Sequence, residues 1–171
     1  SPLSLPPATT MNQSTGISLY NTLSRSKEEF TPSKPGEVSL YVCGVTPYDA
    51  LHIGHARAFM AYDVLRRVLE GQGLRVNHIQ NVTDVEDKII ERARQLGEEP
   101  MALARRFAEE ALADTQALGI LPAHSYPRVS DSIVPILDLI KGLETKGYAY
   151  AQGGDVYFDV SKDEDYGKLS G

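Results

Sequence analysis

Only one cysteine, Cys43, occurs among the 171 residues. That excludes an internal disulfide framework and fits a reducing compartment, so a cytoplasmic location is expected. Long hydrophobic runs are missing too: no apolar stretch approaches the ~20 residues that cross a bilayer, so no membrane is expected as a partner. Residues 1–16 carry neither a basic n-region nor an apolar h-region, which argues against a secretory signal. Basic charge is in deficit, with 17 Lys and Arg against 23 Asp and Glu for a net charge of −6. Such a chain does not hold nucleic acid by bulk electrostatics, and any contact of that kind must fall on local patches or on sequence outside it. What remains is 42% hydrophobic and 23% charged, a soluble composition long enough for one domain with a core, or one domain and the start of another.

Taken in order, residues 1–16 hold Ser, Pro, Thr, Gln and Asn without periodicity and read as a disordered arm. Ile17 to Thr22 suits a short edge strand, and Ser24 to Gly36 a polar connector. Val38 to Val45 is rich in β-branched and aromatic residues and reads as a buried strand. A helical pattern follows from Ala56 through Phe59, Met60, Val64, Leu65, Val68 and Leu69, stopped by Gly71 and Gly73. Val76 to Val82 is a second strand, parallel to the first because a helix separates them. Thr83 to Glu86 opens another helix, ended near Gly97, and Glu99-Pro100 starts the next with proline in its first turn. Met101, Leu103, Ala104, Phe107, Ala108, Ala111 and Leu112 give that helix one apolar face, and Gly119 stops it. Ser130-Asp131 is expected to cap a further helix with Ile133, Ile136, Leu137, Ile140 and Leu143 at helical spacing, although Pro135 falls late in its first turn. Asp155 to Val160 alternates as a strand after a Gly153-Gly154 turn. The pattern is α/β, a parallel sheet with flanking helices, with 17–150 as its main body and 151–171 opening a separate insertion.

The centre of this pattern is the loop between the first strand and its helix, where His52-Ile53-Gly54-His55 stands. A helix N-terminus gathers unpaired N–H groups and positive dipole, which suits phosphate. Two imidazoles there can donate to phosphate oxygens, and Gly54 lets a ligand lie against the backbone. Half of a metal site and an ordinary solvated or core histidine pair are the other readings.

His52-Ile53-Gly54-His55 resembles the HIGH signature of class I aminoacyl-tRNA synthetases. Tyr41-Val42-Cys43-Gly44 before it and Gln80-Asn81-Val82-Thr83-Asp84-Val85-Glu86-Asp87-Lys88-Ile89-Ile90 after it are spaced as in the cysteinyl-tRNA synthetases. Ile17 to Arg25 and Gly154 to Val160 fit the same family. The resemblance implies a Rossmann-like (HUP-type) sheet, the first half of a class I catalytic domain. It further implies ATP-dependent activation of cysteine with Mg²⁺, and transfer of cysteine to tRNA by the whole enzyme. No Lys-Met-Ser-Lys-Ser-like signature occurs, so the chain is expected to be an N-terminal fragment, inactive alone. Two alternatives stay open. One is a mycothiol-pathway cysteine ligase acting on an amino sugar. The other is a truncated paralogue that binds nucleotide, cysteine or a partner protein.

The same resemblance assigns expectations to single residues. Cys43, otherwise a small buried hydrophobe at a strand end, is implied as a Zn²⁺ ligand that helps select the substrate thiolate, with the other ligands beyond Gly171. The choice of metal is sensible, since Zn²⁺ favours sulfur. His52 and His55 are implied to stabilise the ATP phosphates, with Gly54 and Arg57 as further ATP contacts. For Arg57 a surface salt bridge is the competing reading. Gly44, Thr46 and Thr83 are expected at the bound amino acid, with Thr46 favoured over Asp49. Thr83 and Asp84 are also good helix caps. Asp84, Glu86, Asp87 and Lys88 read as a solvated helix start with its charge pairs, and His78 and His124 as structural.

Overall fold

The computed structural model describes residues 15–171. The arm expected over 1–16 therefore lies almost wholly outside the described residues. β1 (Ser18–Asn21) pairs antiparallel with β2 (Ser26–Glu29), Ser18 opposite Glu29 and Asn21 opposite Ser26. The edge strand is present as expected, but the supposed connector supplies its partner. Ser26–Glu29 has no apolar alternation, so only backbone pairing defines it.

β3 (Glu37–Val45) and β4 (Arg75–Val82) form the parallel pair at the heart of the fold, in register from Glu37 opposite Arg75 to Val42 opposite Gln80. They are joined by α1 (Ile53–Gly71), whose Leu69 packs with Val38 and Val76 in one buried cluster. β3 is half-buried rather than buried. Val38 and Val42 point into the core, whereas Ser39, Tyr41 and Cys43 alternate onto an open face. A third extended segment, 124–129, runs beside β4. Ser125 and Arg128 bridge in parallel to Ile79 and Val82, and the Gln80 and Val82 N–H groups donate to the Ser125 and Pro127 carbonyls.

This segment is anchored to α1 by buried polar groups. Arg66 donates to Glu70 and to the Pro122 carbonyl, both at 2.8 Å, and lies 3.2 Å from His124 Nε2. Asp63 accepts from Arg67 and from the Leu121 N–H. Pairing a buried charge while satisfying its remaining hydrogen bonds is what makes such burial tolerable. His124 Nδ1 accepts from the His78 N–H at 2.9 Å, and the buried ring of His78 packs beside this cluster.

α2 (Asp87–Leu96) and α3 (Pro100–Ala117) pack together through Ile89, Ala93, Leu103, Ala104 and Phe107. The cap of α2 is Glu86, whose carboxylate accepts from the Lys88 N–H at 2.7 Å, and not Thr83 or Asp84. Asp84 is not solvated either. It is buried, accepts the N–H and hydroxyl of Ser130 at 2.9 and 2.6 Å, and has Arg128 at 3.7 Å. Ser130 thus serves Asp84 instead of capping a helix. α4 (Ile133–Thr145) follows a single 3-10 turn and starts from Ser132 without a side-chain cap. Pro135 is its third residue, where the missing N–H costs no helical bond. The chain closes with the hairpin of β5 (Ala149–Gln152) and β6 (Asp155–Phe158), turned at Gly153 and Gly154, both with positive φ.

Candidate active site

α1 begins with a cap made of imidazoles. His52 is the N-cap, and its Nδ1 accepts from the Gly54 N–H at 3.1 Å. His55, three residues on, accepts from the His52 N–H through its own Nδ1 at 3.3 Å. This is the reciprocal geometry of a Ser-x-x-Glu capping box with both oxygens replaced by ring nitrogens. The rings lie 3.9 Å apart, centre to centre. Because a backbone N–H can only donate, each Nδ1 is an acceptor, and a neutral ring then carries its proton on Nε2. The cap therefore leaves each histidine one N–H for a ligand. Partial burial, and then His52 alongside, hold the His55 pKa below its ordinary value, which favours the neutral ring.

Gly54 is needed for a reason other than ligand approach. A Cβ there would stand 2.8 Å from Cε1 and 2.9 Å from Nδ1 of His52, so a side chain would displace the capping ring. Gly44 is more constrained still, since its Cβ would meet the Asn81 carbonyl oxygen at 1.7 Å. No rotamer relieves a clash with backbone.

In front of the cap lies a cavity of about 390 Å³, bounded by Gly44, the 45–51 loop, His52, His55, Lys88 of α2, and Phe107 and Ala111 of α3. The structure thus brings together Gly44, Thr46, His52 and His55 among the expected residues. Asp49 also lines the cavity, and its carboxylate accepts from Arg92 at 3.3 Å. Thr83 sits where β4 ends, its N–H donating to the Val45 carbonyl at 2.9 Å. Arg57 is not among the lining residues. It borders a separate apolar groove on α1 with Ile53, Met60, Val64 and Leu118, and makes no ion pair among the described residues. Lys88 is the residue that sequence reasoning passed over. Rather than pairing with a neighbouring carboxylate, it reaches the cavity with Nζ 5.8 Å from the Tyr48 ring centre. Its place in the first turn of α2, six residues after the last residue of β4, was the available signal.

Cys43 is exposed, not the buried hydrophobe of the plainest reading. Its placement at the C-terminal edge of a parallel strand, with a free thiol, suits a metal ligand. Among the described residues no three His, Cys, Asp or Glu side chains gather into a metal site. Cys43 thus stands as a single candidate ligand among the described residues.

Comparisons with known proteins bear on what this arrangement belongs to. Residues 29–171 match the family model described as tRNA synthetases class I (C) catalytic domain. The chain is 54% identical over 155 residues to a cysteine–tRNA ligase of Thermococcus kodakarensis, with 91% of this chain and 33% of that protein covered. Over the same length it is 52% identical to the cysteine–tRNA ligase of Clostridioides difficile, with the same coverage. It spans about a third of the length of these curated relatives. In fold it resembles a methionyl-tRNA synthetase of Mycobacterium tuberculosis solved with methionyl-adenylate, at a TM-score of 0.60 and 24% identity, over 66% of this chain and 23% of that one. A leucyl-tRNA synthetase of Agrobacterium radiobacter, solved with tRNA and LeuAMS, matches at the same TM-score and identity over 70% of this chain and 16% of that one. A parallel pair, an imidazole-capped helix facing a cavity and a family match over most of the sequence lead to one conclusion: the chain belongs to the class I (C) tRNA synthetase catalytic-domain family.

Proposed function

We propose that the chain is the nucleotide-binding first half of a cysteine–tRNA ligase catalytic domain, with 151–171 opening a connective insertion. The observation that carries this reading is the imidazole capping box. It presents two Nε2–H donors and the helix dipole to a cavity that Lys88 also reaches. A triphosphate with its Mg²⁺ fits that electrostatics. His52 and His55 would donate to phosphate oxygens as charge develops during attack of the amino-acid carboxylate on the α-phosphate. Their contribution is preorganised stabilisation, not nucleophilic catalysis. Gly44, Thr46 and Thr83 would bound the amino acid, cysteine in this reading. Gly54 keeps the cap closed, and Arg57 would meet phosphate only by reaching around the first turn of α1. Cys43 would contribute one thiolate to a Zn²⁺ ion when the remaining ligands are supplied, and that ion supplies selectivity for sulfur over oxygen. tRNA, as the final acceptor in the cytoplasm, would be held mainly by sequence outside this acidic chain.

The test is cysteine-dependent ATP–pyrophosphate exchange and tRNA charging by the full natural polypeptide that contains this chain. Exchange with charging is the expected result. Exchange without tRNA charging, but with transfer to an amino sugar, would replace the proposal by an amino-sugar ligase. Binding of ATP or cysteine with no exchange at all would make the protein a binding paralogue. In the same protein, Cys43→Ser is expected to remove most bound zinc while leaving the circular dichroism unchanged.

A further inference from the structure

Between Val42 and Val45, β3 carries two residues, Cys43 and Gly44, against the single Asn81 of β4. This is a β-bulge, a device that re-aims side chains next to sites. The Gly44 N–H is taken by a side chain, with Asn81 Oδ1 accepting it at 2.8 Å. Since a backbone N–H only donates, that contact fixes the amide orientation: Oδ1 faces Gly44, and Nδ2 faces the other way. On that other side, 3.2 Å from Nδ2, is Thr83 Oγ1. An amide nitrogen only donates, so Thr83 Oγ1 is the acceptor and its own proton is left for another partner. No described residue accepts that proton.

We propose that Asn81 is a positioning residue that holds the Cys43–Gly44 bulge and leaves the Thr83 hydroxyl proton free for an acceptor atom, in this reading one of the amino-acid substrate. The proposal rests on the ligase reading above and deepens it. Asn81 acts through its neighbours and need not touch the substrate itself. Were the amide reversed, Gly44 N–H would face a second donor and Thr83 would have to spend its proton on Asn81. The backbone of the bulge thus sets the polarity of a hydroxyl two residues along the opposite strand.

Steady-state exchange kinetics on the full natural polypeptide test this with Asn81→Asp, Thr83→Val and the double variant. A carboxylate at position 81 still accepts from Gly44 N–H, but offers Thr83 no N–H and captures the threonine proton instead. The expected result is a KM for cysteine raised about tenfold, the scale of one hydrogen bond, with the KM for ATP unchanged. In the Thr83→Val background, Asn81→Asp is expected to raise the KM for cysteine no further. Equal effects in both backgrounds, or parallel rises in both KM values, would overturn the proposal. Should Asn81→Asp fail to fold, Thr83→Val alone decides: an unchanged KM for cysteine overturns it. A wild-type protein with no cysteine-dependent exchange would instead overturn the ligase reading, and this proposal with it.

Discussion

At the scale of single residues, the site is built from side chains that do two jobs. His55 caps its own helix and faces the cavity, so His55→Ala removes a cap and a preorganised donor together. Cysteine-dependent pyrophosphate exchange is expected to slow by roughly 10²-fold or more, the usual loss for one such donor. A rate within threefold of wild type would contradict the role. Lys88 reaches the cavity beside the Tyr48 ring and makes no ion pair among the described residues. Lys88→Met keeps the aliphatic stem, and is expected to raise the KM for ATP severalfold while leaving that for cysteine in place. That the two histidines, Gly44 and Thr46 would stand at one cavity was legible in the sequence, because the strand–loop–helix order dictates where they must stand. Lys88 and Asp84 were not. Asp84 is buried by Ser130, a partner 46 positions away that no local pattern announces. The capping role of His52 was hidden for a different reason, since imidazole is absent from the usual roster of capping side chains.

At the scale of elements, periodicity found α1 to α4, β3, β4 and the last strand within a few residues. It missed β5, the first strand of the closing hairpin, and also β2 and the 124–129 segment, neither of which alternates and the latter of which contains Pro127. These last two are defined by backbone bonds to a neighbour, which composition does not encode. The α2–α3 pair was legible from the apolar face of α3, and its burial carries a stability prediction. Leu103 is fully buried between the two helices. Leu103→Ala is expected to cost about 2–5 kcal/mol, the range for truncating a core leucine, measured by urea unfolding. A loss below 1 kcal/mol would mean that the helices close up around the gap.

At the scale of the molecule, two properties follow from how the elements are assembled. The first is acid sensitivity. His78 is buried with both ring nitrogens unpartnered among the described residues, facing Arg66, His124, Asp63 and Glu70. Burial, and then the charge of Arg66 and the ring of His124, hold its pKa below the usual value of 6.5. The unfolded chain takes up this proton near pH 6.5 while the folded chain resists it, so stability is full above that pH and falls as pH drops below it. The loss for one such proton approaches ~1.4 kcal/mol per pH unit. Urea midpoints at pH 7.5 and 5.5 should differ in wild type, and differ less in His78→Leu. Equal differences in the two would assign the acid sensitivity elsewhere. The second property is surface character. Ile53 on α1 and Val134 and Leu139 on α4 are 85%, 69% and 66% exposed, and no residue of α4 is buried. The 171-residue chain is therefore expected to bind a hydrophobic dye or to self-associate at micromolar concentration. A dye-silent monomer in sedimentation velocity would refute that.

The imidazole cap has one more consequence, in the currency of inheritance rather than of energy. Most catalytic side chains can be lost while the fold survives, and an inactive copy may then drift freely. Here the two rings that face the cavity also begin the helix, and Gly54 is bound to them by the room His52 occupies. A lineage that gave up the chemistry could start α1 as well with Ser, Thr, Asp or Asn at the cap, which would also free position 54 from the His52 ring. Inactive descendants of this fold should therefore trade the imidazoles for ordinary caps, and a histidine pair kept at this helix start argues for use of the rings beyond capping.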